Sequence, residues 1–365
     1  GPAMLRLADT IVAAETCEEL FTPNSPHITL ALRGAEIITN GSGSHHNLRK
    51  LNTRMQLITA AMAKSGGCYM YANQIGCDGG RLYFDGCALI CSNGHVLAQG
   101  AQFSLTEVEV VSANVDLAAI RSRRGAFMSR CEQVASAPDV PEVVRLDFAL
   151  STSDFTFPTP SQALREHHPM EELALGPACW LWDYLRRSGQ AGYFVALSGG
   201  ADSSSVAAIV GSMCQQVVKA VAAGNERVLA DIRKVTKDDG YLPVDARELA
   251  ARLFYTCYMG TDNSSQDTRD RAKRLAEQVG STHFDANIQS VIKALLAFFV
   301  ALVGKTPNFK TAGGEPRENL ALQNIQARLR MVISYMLAQL LPWAKGRHGG
   351  CLVLGTANVD EALRG

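Results

Sequence analysis

The residues best suited to chemistry lie in Tyr193 to Ser205, which reads YFVALSGGADSSS. Phe194-Val195-Ala196-Leu197 is a short apolar run with strand character, and it stops at Ser198-Gly199-Gly200. Beyond Ala201, Val206, Ala207, Ile209, Val210 and Met213 recur at helical spacing. A strand, a glycine turn and a helix start in that order make an anion site. Successive backbone N–H groups converge there, and the helix dipole adds partial positive charge. Glycine lets the backbone approach a phosphate with no Cβ in the way. Ser198, Ser203 and Ser204 add hydroxyl donors, and the Asp202 carboxylate suits a Mg²⁺ ion bridging phosphate oxygens. No lysine lies in the turn, so it is not the GxxxxGK[ST] loop of common ATPases.

A second set surrounds Cys17, in the segment AETCEELFTP from Ala14 to Pro23. The cysteine follows an apolar strand and precedes a turn that ends in proline. That position exposes a thiol at a strand end, with flanking backbone N–H groups to receive an oxyanion. Asn40-Gly41-Ser42-Gly43-Ser44-His45-His46 follows another strand, and Arg49 and Lys50 open the next helix. Cys77, in the glycine-rich turn Asn73 to Gly79, is the rival nucleophile but has no base nearby in sequence. Strand alternation makes Glu15 a neighbour of Cys17 and not a group facing it. His45 and His46 read as loop or interface residues in preference to a Cys–His pair.

Positioning these groups takes two domains, and 365 residues with 47% hydrophobic content have room for them. Residues 10–120 read as short strands with two helices. The strands are expected at Ile11 to Thr16, Ala35 to Thr39, Cys68 to Ala72, Arg81 to Cys91, Val96 to Gln102 and Glu107 to Asp116. The helices are expected at Ile28 to Arg33 and Asn47 to Lys64. Asn93-Gly94 is a hairpin turn signal. Residues 118–170, richer in Pro, Ser and Arg, read as an irregular connector. From Pro177 the rhythm alternates. Helices are expected at 177–188, 267–279, 288–303 and 318–341, and strands at Phe194 to Leu197, Leu253 to Met259, Thr282 to Phe284 and Cys351 to Gly355. Such alternation predicts a doubly wound parallel sheet with its ligand at the carboxyl ends of the strands.

Charge is balanced, 35 basic against 35 acidic residues, so nothing in it favours nucleic acid or an anionic membrane. The most apolar stretch, Ile288 to Val303, is interrupted by Lys293 and is shorter than a membrane span. Ten scattered cysteines without a CxxC pair predict a reducing, cytoplasmic setting. No secretory pattern opens the sequence, and Gly1-Pro2-Ala3-Met4 reads as the remnant of a cleaved tag.

The SGGADSS segment resembles the loop of the PP-loop ATP pyrophosphatases, and the Cys17 region resembles the nitrilase-type amidohydrolases. In combination the chain resembles the eukaryotic-type glutamine-dependent NAD⁺ synthetase family. CEELFTPNSPH, EIITNGSGSHHNLRK, YANQIGCDGGRLYFDGC, GPACWLWDYLRRS, ENLALQNIQARLRM and LGTANVDEALRG carry the likeness across residues 10–365. The resemblance implies part of a nitrilase-like α-β-β-α sandwich at 5–120, a connector at 121–176 and a PP-loop synthetase domain at 177–365. It implies that glutamine hydrolysis supplies ammonia to a Mg-ATP-dependent ligase that adenylates deamido-NAD⁺.

By position, Cys17 is then the nucleophile, and Glu18, Ser44 and Lys50 contact glutamine. Leu197, Ser198, Gly199, Gly200, Ala201, Asp202, Ser203, Ser204, Met259 and Thr356 meet ATP or pyrophosphate. Asn324 and Arg328 face deamido-NAD⁺, and Asp202 and Glu361 hold Mg²⁺. The resemblance further implies a homo-oligomer, for which Trp180, Trp182 and Trp343 are the aromatic candidates. It places the glutaminase's glutamate base and lysine upstream of this chain, and an ATP-contacting lysine downstream, so the sequence reads as an internal segment. Another PP-loop ligase, or an incomplete fragment serving as a binding module, stays open as an alternative.

Overall fold

The computed structural model describes residues 3–136, 141–151 and 156–364, in two compact units, 1–180 and 181–365. In the first unit β1 (Ala3–Arg6) and β2 (Ile11–Thr16) are followed by a 3-10 turn (Cys17–Phe21) and α1 (Pro26–Leu32). Next come β3 (Ile37–Ser42), α2 (Lys50–Ser65), β4 (Cys68–Asn73), β5 (Ile75–Cys77), β6 (Tyr83–Asp85), β7 (Leu89–Ser92) and β8 (His95–Gln99). α3 (Leu117–Gly125), α4 (Met128–Ser136), β9 (Glu142–Arg145) and α5 (Pro169–Ser188) follow, and α5 runs on into the second unit.

Seven strands form one mixed sheet in the order β8-β7-β4-β3-β2-β1-β9, with β2, β3 and β4 parallel. Their alternating residues divide between two faces. Ala13, Ile38, Tyr69 and Tyr71 meet Leu30 of α1 and Leu51, Met55, Ile58 and Met62 of α2 in the main core. On the other face Cys68, Ile90 and Ile37 pack against Ile120 and the chain between Val111 and Leu117. This is a sheet with its helical layer, one half of an α-β-β-α sandwich. A fully buried ion pair crosses from α2 to β6: Arg54 Nη2 donates to both Asp85 oxygens at 2.5 and 2.7 Å.

Several expectations need correction. Ala3 and Met4, read as a tag remnant, belong to β1, and Met4 is buried in the core. Arg81 to Cys91 is two strands, because Gly86 and Cys87 turn the backbone to φ of 67° and 64°. Glu107 to Asp116 forms no strand and covers the sheet as irregular chain. The expected connector contains α3, α4 and β9, and β9 extends the sheet by pairing in parallel with β1. α5 starts at Pro169, so Pro177 lies inside it and does not open it.

The second unit contains β10 (Gly192–Ala196), α6 (Ala201–Ala222), α7 (Glu226–Thr236), α8 (Ala246–Leu253) and β11 (Phe254–Gly260). It continues with α9 (Gln266–Val279), β12 (Thr282–Asn287), α10 (Gln289–Val303), α11 (Pro316–Ala344), β13 (Cys351–Val353) and α12 (Val359–Arg364). α7 and α8 had no counterpart in the sequence reading. The sheet is entirely parallel, in the order β12-β11-β10-β13. Phe194, Tyr255 and Cys257 pack under α10 and α11, while α6, α8 and α9 also lie against the sheet. Coverage on both faces explains why β10 and β11 read as near-continuous apolar runs. α6 is long and apolar enough to span a membrane. Within this unit it is a core helix, with Ala207, Val210, Met213, Cys214 and Val217 buried.

Removing one member of the Arg54–Asp85 pair strands a buried charge. Asp85→Ala is expected to lower stability by about 3–5 kcal/mol, and Arg54→Met combined with Asp85→Leu to recover most of it. Urea unfolding monitored by circular dichroism measures both changes.

Candidate active sites

In the second unit the sheet order reverses at β10, with β11 on one side and β13 on the other. Doubly wound folds bind ligands at such a switch point, at the carboxyl ends of the strands. The predicted turn sits there. Leu197 donates its N–H to Cys257 and ends the ladder, and Gly200 caps α6. Gly199 has φ +78°, and a Cβ on it would overlap the carbonyl oxygen of Thr268 in α9. Glycine is therefore required both by conformation and by the close approach of α9. Tyr258 holds α9 in place through a 3.0 Å hydroxyl contact to Thr268.

Hydroxyls brace the turn from within. Ser203 Oγ lies 3.0 Å from Ser198 Oγ, and Ser198 Oγ accepts from the Gly200 N–H at 3.2 Å. Asp202 is exposed in the first turn of α6 and accepts from Asn358 Nδ2 at 2.9 Å. Asn358 Oδ1 accepts the Glu361 N–H at 2.9 Å, so one side chain ties Asp202 to the helix carrying Glu361. Among the described residues no cluster of three or more His, Cys, Asp or Glu side chains forms a closed metal site. A cation between Asp202 and Glu361 would draw its other ligands from phosphate and water, which is how Mg²⁺ is usually held. Ser204 and Ala201 lie in the same first turn, and Thr356 follows β13, the strand beside β10.

Met259 and Gly260 extend β11 beyond the last paired residue of β10. The Met259 side chain is buried in the core, and its carbonyl accepts from Arg330 Nε at 3.0 Å. Arg330 is thus a structural clamp that sequence reasoning missed, since its partner is 71 residues away. Asn324 and Arg328 are bonded to each other at 3.1 Å on an exposed stretch of α11.

In the first unit the carboxyl ends of the parallel strands again collect the candidates. Cys17 follows β2, Ser44 follows β3 and Asn73 ends β4. Cys17 is half-buried with φ +45°, a left-handed conformation that costs a non-glycine residue energy. Its N–H donates to Asn40 Oδ1 at 3.0 Å, and the Thr16 N–H donates to Glu19 Oε2 at 2.6 Å. The expectation that the N–H groups flanking Cys17 await an oxyanion therefore fails for these two, which are already spent on side chains. Lys50, half-buried at the start of α2, has its pKa lowered by burial and by Arg54, against the opposing pull of Asp85, Cys17 and Glu18. Lys50 is thereby within electrostatic reach of both Cys17 and the exposed Glu18. Ser44 is buried and its hydroxyl has no partner among the described residues, while Asn73 grips its backbone at 2.9 and 3.0 Å.

Cys77 is buried in β5, against β6, and does not compete with Cys17 as an accessible thiol. His45 bridges to Phe84, and His46 lies 3.6 Å from Asp85 and edge-on to Phe103. Glu15 points into the core, as alternation requires. There it accepts the His27 N–H and ring Nδ1, each at 3.0 Å, and the Tyr69 hydroxyl.

A family model described as NAD synthase matches residues 177–365, and one described as carbon-nitrogen hydrolase matches residues 1–125. The chain belongs to the NAD synthase family. It is 53% identical to proteins named glutamine-dependent NAD(+) synthetase from Dictyostelium discoideum, Saccharomyces cerevisiae and Homo sapiens. Each match takes in 100% of this chain but 51–52% of the relative, so the chain spans about half the length of the curated relatives it matches. A glutamine-dependent NAD(+) synthetase from Cytophaga hutchinsonii shares the fold, with TM-score 0.71 and 24% identity over 99% of this chain and 50% of that one. A second from Acinetobacter baumannii, solved with adenosine diphosphate, gives TM-score 0.64 and 18% identity over 100% of this chain and 52% of that one.

Gly199→Ala is expected to destabilise this unit by about 1–3 kcal/mol, since α9 or the turn must shift. Thermal melting measures the change. In the other unit burial alone would raise the Glu15 pKa, but bonds from His27 and Tyr69 outweigh it and hold the group below its ordinary 4.5. A depressed carboxylate contributes stability that is present above its unfolded pKa. That contribution is lost as pH falls from 4.5 through the lower folded value. Glu15→Gln is expected to flatten this acid limb in urea titrations run at successive pH values.

Proposed function

We propose that this chain carries the thiol of a glutaminase and the nucleotide turn of an NAD⁺ synthetase. Its parent would amidate deamido-NAD⁺ with ammonia from glutamine, releasing AMP and pyrophosphate. The observation that carries the reading is the pairing of a left-handed strand-end cysteine with the Ser198–Ser204 turn in one chain. The family and the named relatives support it.

In the first unit Cys17 would attack the glutamine carboxamide, forming a thioester and releasing ammonia. Glu18, Ser44 and Lys50 would contact glutamine. The unpartnered Ser44 hydroxyl and the Lys50 ammonium are suited to its polar groups. In the second unit the backbone of Leu197 to Ala201 and the hydroxyls of Ser198, Ser203 and Ser204 would cradle the phosphates. Thr356 and the end of β11 at Met259 would meet the nucleotide, and Asn324 with Arg328 would face deamido-NAD⁺. Asp202 and Glu361 would hold Mg²⁺, which supplies charge neutralisation on the phosphates. A carboxylate is a poor electrophile. Attack of its oxygen on the α-phosphorus expels pyrophosphate, and ammonia then displaces AMP from the acyl carbon.

A reducing, cytoplasmic setting suits the ten free thiols. The expected homo-oligomer finds support on α10 and α11. Phe298, Leu302, Tyr335 and Trp343 are 62%, 69%, 55% and 73% exposed there, more than scattered surface residues require. Of the three aromatic candidates only Trp343 is exposed; Trp182 is buried, and Trp180 packs beside Phe103 and Cys179.

In the full-length protein, Cys17→Ala is expected to reduce glutamine-driven NAD⁺ formation by about 10³-fold or more and to spare the ammonia-driven reaction. Asp202→Ala is expected to eliminate both. A coupled assay with each nitrogen source measures the split. Glutamine-driven turnover that survives in the Cys17 variant removes the thiol from the mechanism.

A further inference from the structure

Cys17 keeps a left-handed backbone, φ +45°, with no glycine to make it easy. A residue in that region persists only where its surroundings over-determine it. The surroundings here form one continuous polar chain through the core. Cys17 N–H donates to Asn40 Oδ1 at 3.0 Å, Asn40 Nδ2 donates to Tyr69 Oη at 2.9 Å, and the Tyr69 hydroxyl donates to Glu15. Asn40, Tyr69 and Glu15 are 1%, 0% and 2% exposed, so water does not substitute for any of them.

The chain also has a direction. Ionised Glu15 can only accept, and His27 occupies it from the far side through its N–H and ring Nδ1. Tyr69 must therefore donate to Glu15, which leaves its oxygen to accept. The Asn40 amide must then turn its NH₂ toward Tyr69 and its oxygen toward Cys17. An amide turned the other way would set two donors against each other at Cys17 and two acceptors against each other at Tyr69. Neither amide oxygen nor backbone N–H has freedom left.

We infer that Asn40 is a positioning residue of the Cys17 site, its amide locked by Tyr69 and Glu15 so that it holds the thiol-bearing backbone in its left-handed conformation. The inference rests on the reading of Cys17 as nucleophile for its kinetic consequence, but the hold on the backbone stands apart from that reading. Asn40 touches no reacting atom. Its removal leaves the half-buried Cys17 N–H without its amide partner and frees φ to relax, which carries the sulfur away from its aim. A displacement of about 1 Å costs up to about 10²-fold in rate.

The test uses the full-length protein with Asn40→Ala, Tyr69→Phe and Cys17→Ala. Three readouts are taken: kcat and KM for glutamine hydrolysis, ammonia-driven synthesis, and the rate of Cys17 alkylation by iodoacetamide followed by mass spectrometry. Asn40→Ala is expected to lower kcat by about 10–100-fold with KM within about twofold, to change the alkylation rate by a similar factor, and to leave ammonia-driven synthesis unchanged. Tyr69→Phe keeps the ring and removes only the lock, so it is expected to show the same pattern more weakly; it carries the test if Asn40→Ala does not fold. Wild-type kcat and wild-type alkylation in folded Asn40→Ala or Tyr69→Phe overturn the inference, as does a change confined to KM. If Cys17→Ala still hydrolyses glutamine, the nucleophile reading fails, and the alkylation rates alone decide whether Asn40 holds Cys17.

Discussion

Where parallel strands end, backbone groups lose their ladder partners, and in both units the candidate residues lie at such ends. Cys17 follows β2, Ser44 follows β3 and Asn73 ends β4; Ser198 follows β10, Gly260 ends β11 and Thr356 follows β13. After β10 the N–H groups of Leu197, Ser198 and Gly200 are answered within the unit by Cys257, Ser203 and Ser198, and the start of α6 adds its dipole. After β2 the N–H groups of Thr16 and Cys17 are consumed by Glu19 and Asn40, and what is offered is a side chain, the thiol. On the proposed reading, the first turn would hold a nucleotide and the second would aim a nucleophile.

Each arrangement depends on a close approach that tolerates little change. Gly199 admits α9 to the turn, and Tyr258 fixes α9 through Thr268. The Arg54–Asp85 pair anchors β6 to α2, and the same Asp85 accepts from Asn73 at 3.2 Å, the residue that grips the Ser44 backbone. Core electrostatics and site geometry in the first unit are therefore one network and respond together to mutation.

The nucleotide turn was legible because its chemistry is local: strand, glycines, hydroxyls and helix are consecutive, and each has its own physical signature. Cys17 was legible as a strand-end thiol for the same reason. The polar partners were not. Asn40 reaches Cys17 across 23 residues and Tyr69 reaches Glu15 across 54, and no period or motif encodes such pairings. α7 and α8 escaped notice although amphipathic, for want of the long apolar runs that marked their neighbours. Of the strand-like valines in Glu107 to Asp116, Val111 and Val115 cover the sheet face while Val108 and Val110 are exposed, and no strand forms, an outcome set by tertiary packing. The division of the proline-rich segment into α3, α4 and β9 follows from β1, which offers β9 an edge.

The central claim is that the second unit activates a carboxylate by adenylation at the Ser198–Ser204 turn. Isotope transfer tests it most directly. Full-length protein is incubated with ATP, ammonia and deamido-NAD⁺ labelled with ¹⁸O in both oxygens of its nicotinate carboxylate, and the products are read by mass spectrometry. The account predicts one ¹⁸O in each AMP, one retained in the amide of NAD⁺, and unlabelled pyrophosphate. Label in inorganic phosphate with release of ADP would mean attack at the γ-phosphorus and would contradict it.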